Sequence, residues 1–423
     1  MKFLHWGMLV CLAAATGIAG LAQTGKPLFS VKGWTGSWAA SQQLPEPNNL
    51  LSNADLDHAV LRQVVHLSVG GERLRLHLSN AFGTQPFSIE AVHVAHSLAP
   101  GSAATVAGSD REVHFHGVRQ VTIPAGAEYI SDAVDMKTSS LANLAVTIVT
   151  TTPPSGQTGH PGSRAVSFVG HGSDAGLTDM PGAKHIEHWY ILEGVDVQTN
   201  AQATSRSVVA LGDSITDGHG STIDGNTRWP DELGRRLAAT PKMRGWGVLN
   251  QGIGGNHLLT DGLGPNVLAR FDRDVLAQTG VRAVIVVEGV NDLGGATREA
   301  DIPAEAHREL VARILAAYEQ MIERAHAHGL KIFGGTITPY VGSEYYHPGP
   351  ASEHDRQEIN AWILTPGHFD AGIDFSQALE DPEHPDRLLA RYDSGDHLHP
   401  SPAGYMAMAG VIPIKLLLDA ARP

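Results

Sequence analysis

Cysteine is almost missing from this chain: Cys11 is the only one in 423 residues. A disulfide scaffold is therefore excluded. Positive charge is also short. Thirty Lys+Arg stand against 44 Asp+Glu, a formal net charge of −14, and no Lys/Arg-rich block interrupts the sequence. The sequence-independent attraction to phosphate backbones is thus lacking, and nucleic acid is not expected as a partner. Charged residues make up 17% of the chain against 42% hydrophobic, too apolar for a disordered acidic protein. The 47 Gly and 24 Pro argue against coiled coil and for many turns. At roughly 100–200 residues per domain, this length allows two or three domains.

The one long apolar stretch lies at the start. Met1-Lys2 is followed by a mostly apolar run from Phe3 to Ala19 and then by Gly20-Leu21-Ala22, small residues where a signal peptidase cuts. The expectation is a signal peptide over residues 1–22. A membrane anchor would need about 20 apolar residues, and this run is interrupted by His5, Gly7, Thr16 and Gly17. Lipidation of Cys11 fits less well, because Val10 is not the small residue expected before it. No later segment is apolar enough to span a bilayer. The mature protein is expected to be soluble and exported, secreted or periplasmic, without stable membrane insertion. It would hold no cysteine, which excludes cysteine nucleophiles and Cys-type zinc sites.

The remaining chain has two grammars. From about Trp34 to Val197 the period is two. Val65, Leu67 and Val69 alternate with His66 and Ser68, and after Gly70-Gly71 come Leu74, Leu76 and Leu78. This reads as a hairpin with one buried face. Short strands follow at 88–94, 112–115, 120–123, 144–150 and 164–169, so residues 23–200 are expected to form an all-β sandwich or jelly roll. From about Ser205 the pattern is strand, loop, helix. Apolar strands at 207–211, 247–250, 281–287 and 331–337 lack alternation, as when both sheet faces are covered. Leu310, Val311, Ile314, Leu315, Tyr318, Met321, Ile322 and Ala325 repeat at helical spacing up to Gly329. Residues 201–423 are expected to be a parallel α/β domain, with the boundary in the polar stretch 198–205.

Four segments carry chemistry. The first strand of the second half runs into Gly212-Asp213-Ser214-Ile215-Thr216-Asp217-Gly218, the second into Asn250-Gln251-Gly252-Ile253-Gly254-Gly255-Asn256, and the third into Glu288-Gly289-Val290-Asn291-Asp292. Near the end stands Asp396-His397-Leu398-His399-Pro400. Open α/β sheets place their sites at the carboxyl ends of strands. A serine hydroxyl needs a base to take its proton, and an imidazole supplies one near neutral pH. Asp396, three residues before His399, can reach its Nδ1–H and fix its tautomer. The spacing Gly252-x-Gly254-Gly255 is not a dinucleotide fingerprint, and Asp396-His397-His399 lacks the helical spacing of zinc motifs. No cofactor or metal is expected.

In this order the four segments resemble the four blocks of the SGNH hydrolases, also called GDSL esterases and lipases, over about residues 206–420. The resemblance implies a flavodoxin-like α/β/α domain with catalytic Ser214, Asp396 and His399. It further implies an oxyanion hole formed by the backbone N–H of Ser214, the backbone N–H of Gly255 and the side-chain amide of Asn291, and it selects His399 over His397 as base. Asp213, Asp217 and Asp292 are expected to hold loops. Arg228 reads equally as pocket or surface, and Trp34, Trp38 and Trp189 as buried core. The function expected is a secreted serine esterase removing short acyl groups such as acetyl, on a small-molecule or polysaccharide ester. The alternatives are a lipase or lysophospholipase, or an acyltransferase.

Overall fold

The computed structural model describes residues 33–199 and 205–421. The expected signal peptide and the expected boundary at 200/201 both lie outside the described residues.

The first half contains two large antiparallel sheets and a two-stranded one, Gly159–His160 with Trp189–Tyr190. In one large sheet, Trp34–Ala39, Leu192–Gln198, Arg73–Ser79 and Glu128–Ile130 lie side by side; in the other, Ser167–His171, Ala59–His66, Asn143–Thr150 and Phe87–His96 do. Leu74, Leu76, Leu78, Val195 and Val197 from the first sheet share one buried cluster with Val65, Val92, Val94, Leu144, Val146 and Ile148 from the second. That shared core makes the half a sandwich.

The hairpin expected around Gly70-Gly71 does not form. Ala59–His66 pairs with Asn143–Thr150 and Ser167–His171, whereas Arg73–Ser79 pairs with Leu192–Gln198. The segment between them crosses from one sheet to the other. Both strands bury an alternating face in the same core, so the alternation reported which residues face inward and not which strands bond. The second sheet also buries part of its outer face, where Val60, Val64, Ala91, Val149 and Phe168 pack on Ala175 and Met180.

The second half is a five-stranded parallel sheet. Its order is Trp246–Gly252, Arg206–Gly212, Val281–Val287, Lys331–Gly335, Ala371–Ile373. In chain order that is 2-1-3-4-5, the flavodoxin-like arrangement. The first strand lies between the second and the third, so the chain leaves it toward opposite sides at its carboxyl end, the switch point where such folds bind ligands. The helix read from the periodicity spans Ala304–Ala327 and buries Val311, Ile314, Tyr318, Met321, Ile322 and Ala325. Among the described residues no single helix is long and apolar enough to cross a membrane.

Both halves belong to one compact unit. Strand Trp34–Ala39 runs against the edge strand of the parallel sheet, with Gly36 N–H donating to the Thr279 carbonyl at 3.1 Å and Val248 N–H to Ser68 Oγ at 2.9 Å. Glycine is required at this seam: a Cβ on Gly247 would sit 1.8 Å from the Gly36 carbonyl oxygen.

Candidate active site

Strand Arg206–Gly212 delivers Ser214 as the first residue of a one-turn helix, Ser214–Asp217. Asp213 caps that helix by accepting from Ile215 N–H at 2.8 Å, and Gly218 ends it in the left-handed region at φ 98°. Ser214 Oγ lies 2.8 Å from His399 Nε2. On the far side of the ring, His399 Nδ1–H donates to Asp396 Oδ2 at 2.6 Å. Asp396 Oδ1 accepts the backbone N–H groups of Leu398 and His399 at 3.0 and 2.8 Å. Burial opposes the charge on Asp396, but the His399 ring and these backbone donors hold its carboxyl well below the ordinary range. The three residues named from the sequence therefore form one hydrogen-bonded line. His397 is drawn away from it, its Nδ1 lying 2.5 Å from Asp393 Oδ2.

Ser214, Gly255 and Asn291 line the same cleft, of about 890 Å³. The backbone N–H groups of Ser214 and Gly255 donate to no described residue, and Gly255 sits at φ 67°. Asn291 is held at both ends of its amide: Nδ2 donates to the Asn256 carbonyl at 2.7 Å, and Tyr346 Oη donates to Oδ1 at 2.5 Å. One amide hydrogen remains free for the cleft.

Behind the serine stands a group of buried acids. Asp292 accepts from Leu258 and Leu259 N–H, so it holds the second loop as expected of it. Burial, together with Asp292 and Asp217 nearby, pushes the Asp213 carboxyl up to about 7. Burial also pushes Glu288 well above the ordinary range, with Asp213 and Asp292 adding to the effect. Asp217 holds no backbone donor: its Oδ1 meets His160 Nε2 at 2.9 Å.

Sequence reasoning missed Arg270. Fully buried, it donates to the carbonyls of Gly212 at 2.9 Å and Gln251 at 2.7 Å, and to Asn256 Oδ1 at 2.9 Å, while pairing with Asp274 at 2.8 Å. It ties together the ends of the two strands that carry Ser214 and Gly255. The available signal was an Arg and an Asp four residues apart inside an apolar run. Arg228 is neither on the surface nor in the main cleft. It is buried, pairs with Asp231 and donates to the Ser163 carbonyl. Trp34, Trp38 and Trp189 are buried, as expected of core residues.

The first half supplies one wall of the cleft, through Gln43, Glu46, Asn49, Gly162, Arg164 and His188. Leu263, Tyr345 and Tyr346 of the second half line it too. One ligand atom from each of His219, Asp396 and His399 lies within 4.8 Å of the others, a spacing that could suit a cation. Arg164, however, can only donate, and its Nη2 lies 3.1 Å from His219 Nδ1. That nitrogen must accept, the ring proton sits on Nε2, and Nε2 is closed to a metal.

The chain is similar to a carbohydrate acetylesterase from Sinorhizobium meliloti at 16% identity, TM-score 0.38, covering 51% of this chain and 99% of that one. It is similar to an acetyl xylan esterase from Geobacillus stearothermophilus at 21% identity, TM-score 0.37, covering 52% and 96%. A GDSL-like lipase from Bacteroides thetaiotaomicron is similar at 20% identity, TM-score 0.37, covering 52% and 93%. No curated protein matches the chain. Residues 210–407 match the GDSL-like Lipase/Acylhydrolase family, and this part of the chain is thus the domain of a carboxylic ester hydrolase.

Proposed function

We propose that the protein is an exported serine esterase that removes short acyl groups, acetyl among them, from carbohydrate hydroxyls through an acyl-enzyme on Ser214. His399 Nε2 takes the Ser214 proton as Oγ attacks the ester carbonyl carbon. The carbonyl oxygen becomes an anion, which the N–H groups of Ser214 and Gly255 and the amide of Asn291 stabilise. His399 then gives its proton to the departing alcohol. Water, activated by the same imidazole, hydrolyses the acyl-enzyme and frees Ser214. Asp396 keeps the ring oriented and stabilises the imidazolium.

The observation that carries this reading is the bonded line Ser214–His399–Asp396 at the floor of a wide cleft lined by both polar and apolar groups. A long acyl chain needs a continuous apolar trough. The large apolar side chains of this lining are Leu263, Leu398, Tyr345 and Tyr346, interspersed with polar ones, while Gln43, Glu46, Asn49 and His188 offer hydrogen bonds to a polyhydroxylated alcohol.

Turnover of p-nitrophenyl acetate, butyrate and octanoate, and of acetylated polysaccharides, tests the proposal. kcat/KM should be highest for acetate, and a fluorophosphonate should block it by labelling Ser214. Rates that rise through octanoate, or an active enzyme labelled at another serine, would overturn it.

A further inference from the structure

We propose that Arg164, contributed by the first half, is a positioning residue for the catalytic imidazole: its guanidinium fixes the ring of His219 against His399 and turns a second N–H toward Asp396. The inference rests on the triad reading above and extends it to a residue outside the four blocks. Arg164 Nη2 donates to His219 Nδ1 at 3.1 Å, which leaves the His219 proton on Nε2. That nitrogen lies 3.8 Å from Asp396 Oδ2, the oxygen that also accepts from His399. The His219 and His399 rings are 4.0 Å apart between centroids and tilted by 39°. His219 thus lies over the base and faces the acid.

The rest of the loop is built to hold this contact. Arg164 sits at φ 47°, a conformation uncomfortable for any residue with a Cβ. Strain of this kind persists where surrounding contacts enforce it. Here Arg228 from the second half donates to the Ser163 carbonyl, Asp224 N–H donates to the Arg164 carbonyl at 2.9 Å, and Val166 N–H donates to Asp224 Oδ1 at 2.8 Å. The loop is clamped on both sides of Arg164, and the guanidinium makes no ion pair with a described carboxylate. Arg164, His399, Asp396 and Asp217 are the charged or titratable groups that act on His219. Its backbone is held separately, by its N–H to the Ser214 carbonyl and by the Tyr405 hydroxyl donating to its own carbonyl. Burial, with the His399 and Arg164 charges, pushes His219 down to about 4. It therefore stays neutral wherever His399 can act as base.

Arg164→Gly is the informative variant, because glycine adopts φ 47° without strain and the loop keeps its shape. The melting temperature should hold or rise. On p-nitrophenyl acetate kcat should fall about tenfold with KM within about twofold, the size expected when a catalytic group is slightly misplaced. His219 should titrate higher than in the wild type, read from its ring-proton NMR signals, because one of the charges that holds it down is gone while burial and His399 still keep it low. Arg164→Lys, which keeps a donor, should recover part of the rate. In a His219→Ala background, Arg164→Gly should cost nothing further. Fluorophosphonate titration of Ser214 normalises each rate to folded sites. A kcat within about twofold of wild type with an unchanged His219 titration would overturn the proposal, as would an equal further loss in the His219→Ala background. Turnover retained by Ser214→Ala would overturn the triad reading, and this one with it.

Discussion

His160, from the first half, and Asp217, in the helix begun by Ser214, meet across the seam with both side chains buried: Nε2 lies 2.9 Å from Oδ1. The other ring nitrogen lies 2.8 Å from the Ser41 carbonyl oxygen. Asp217 Oδ2 has no partner among the described residues. His160→Ala should therefore strand a buried carboxylate and cost about 3–5 kcal/mol, the size seen when one member of a buried pair is removed. Urea denaturation measures it. A loss below about 1 kcal/mol would mean that other contacts hold the two halves together.

Asn291 gives a kinetic test. If its amide donates to the oxyanion, Asn291→Ala should lower kcat by about 10²–10³ with little change in KM. Tyr346→Phe should act in the same direction and more weakly, since it removes only the donor that fixes Asn291 Oδ1. A folded Asn291→Ala enzyme with wild-type kcat would leave the backbone groups of Ser214 and Gly255 as the only donors.

Asp213 predicts a pH dependence of stability. Its carboxyl, pushed up to about 7 by burial, titrates near 4 when unfolded. An acid raised in the folded state stabilises fully below the unfolded value, and the contribution is lost as pH rises through the folded one. Wild-type stability should drop by about 3 kcal/mol across pH 4 to 7 from this group. Asp213→Asn keeps an oxygen for Ile215 N–H and should flatten that drop. An unchanged slope in the variant would assign the dependence to Glu288 or Asp292.

Chelation gives a fourth test. With His219 Nδ1 accepting from Arg164 and His399 bonded to Ser214 and Asp396, the donor atoms nearest a cation are already engaged. EDTA should leave kcat unchanged. Loss of activity restored by zinc would make these histidines ligands.

The parts of the site that were legible in the sequence are those carried on short local motifs, at strand ends for Ser214 and Asn291 and in the loop before helix Pro402–Val411 for Asp396 and His399. Ser214, Asn291 and the Asp396/His399 pair each follow a pattern local to a few residues, and the parallel sheet then brings them to one edge. Arg164, His160 and Ser41 carry no such local mark. Their roles arise only when the two halves dock, and docking depends on shape over the whole seam. The failed hairpin at Gly70-Gly71 has the same cause: burial alternation is written in one strand, whereas pairing depends on a partner many residues away.

The cleft joins two walls of different origin. Ser214, Asn291, Asp396 and His399 come from the second half, while the 43–49 and 161–164 loops of the lining come from the first. Apart from Arg164, substitutions in those loops can retune which alcohol is accepted and leave bond cleavage intact. Substrate range and turnover can then diverge independently.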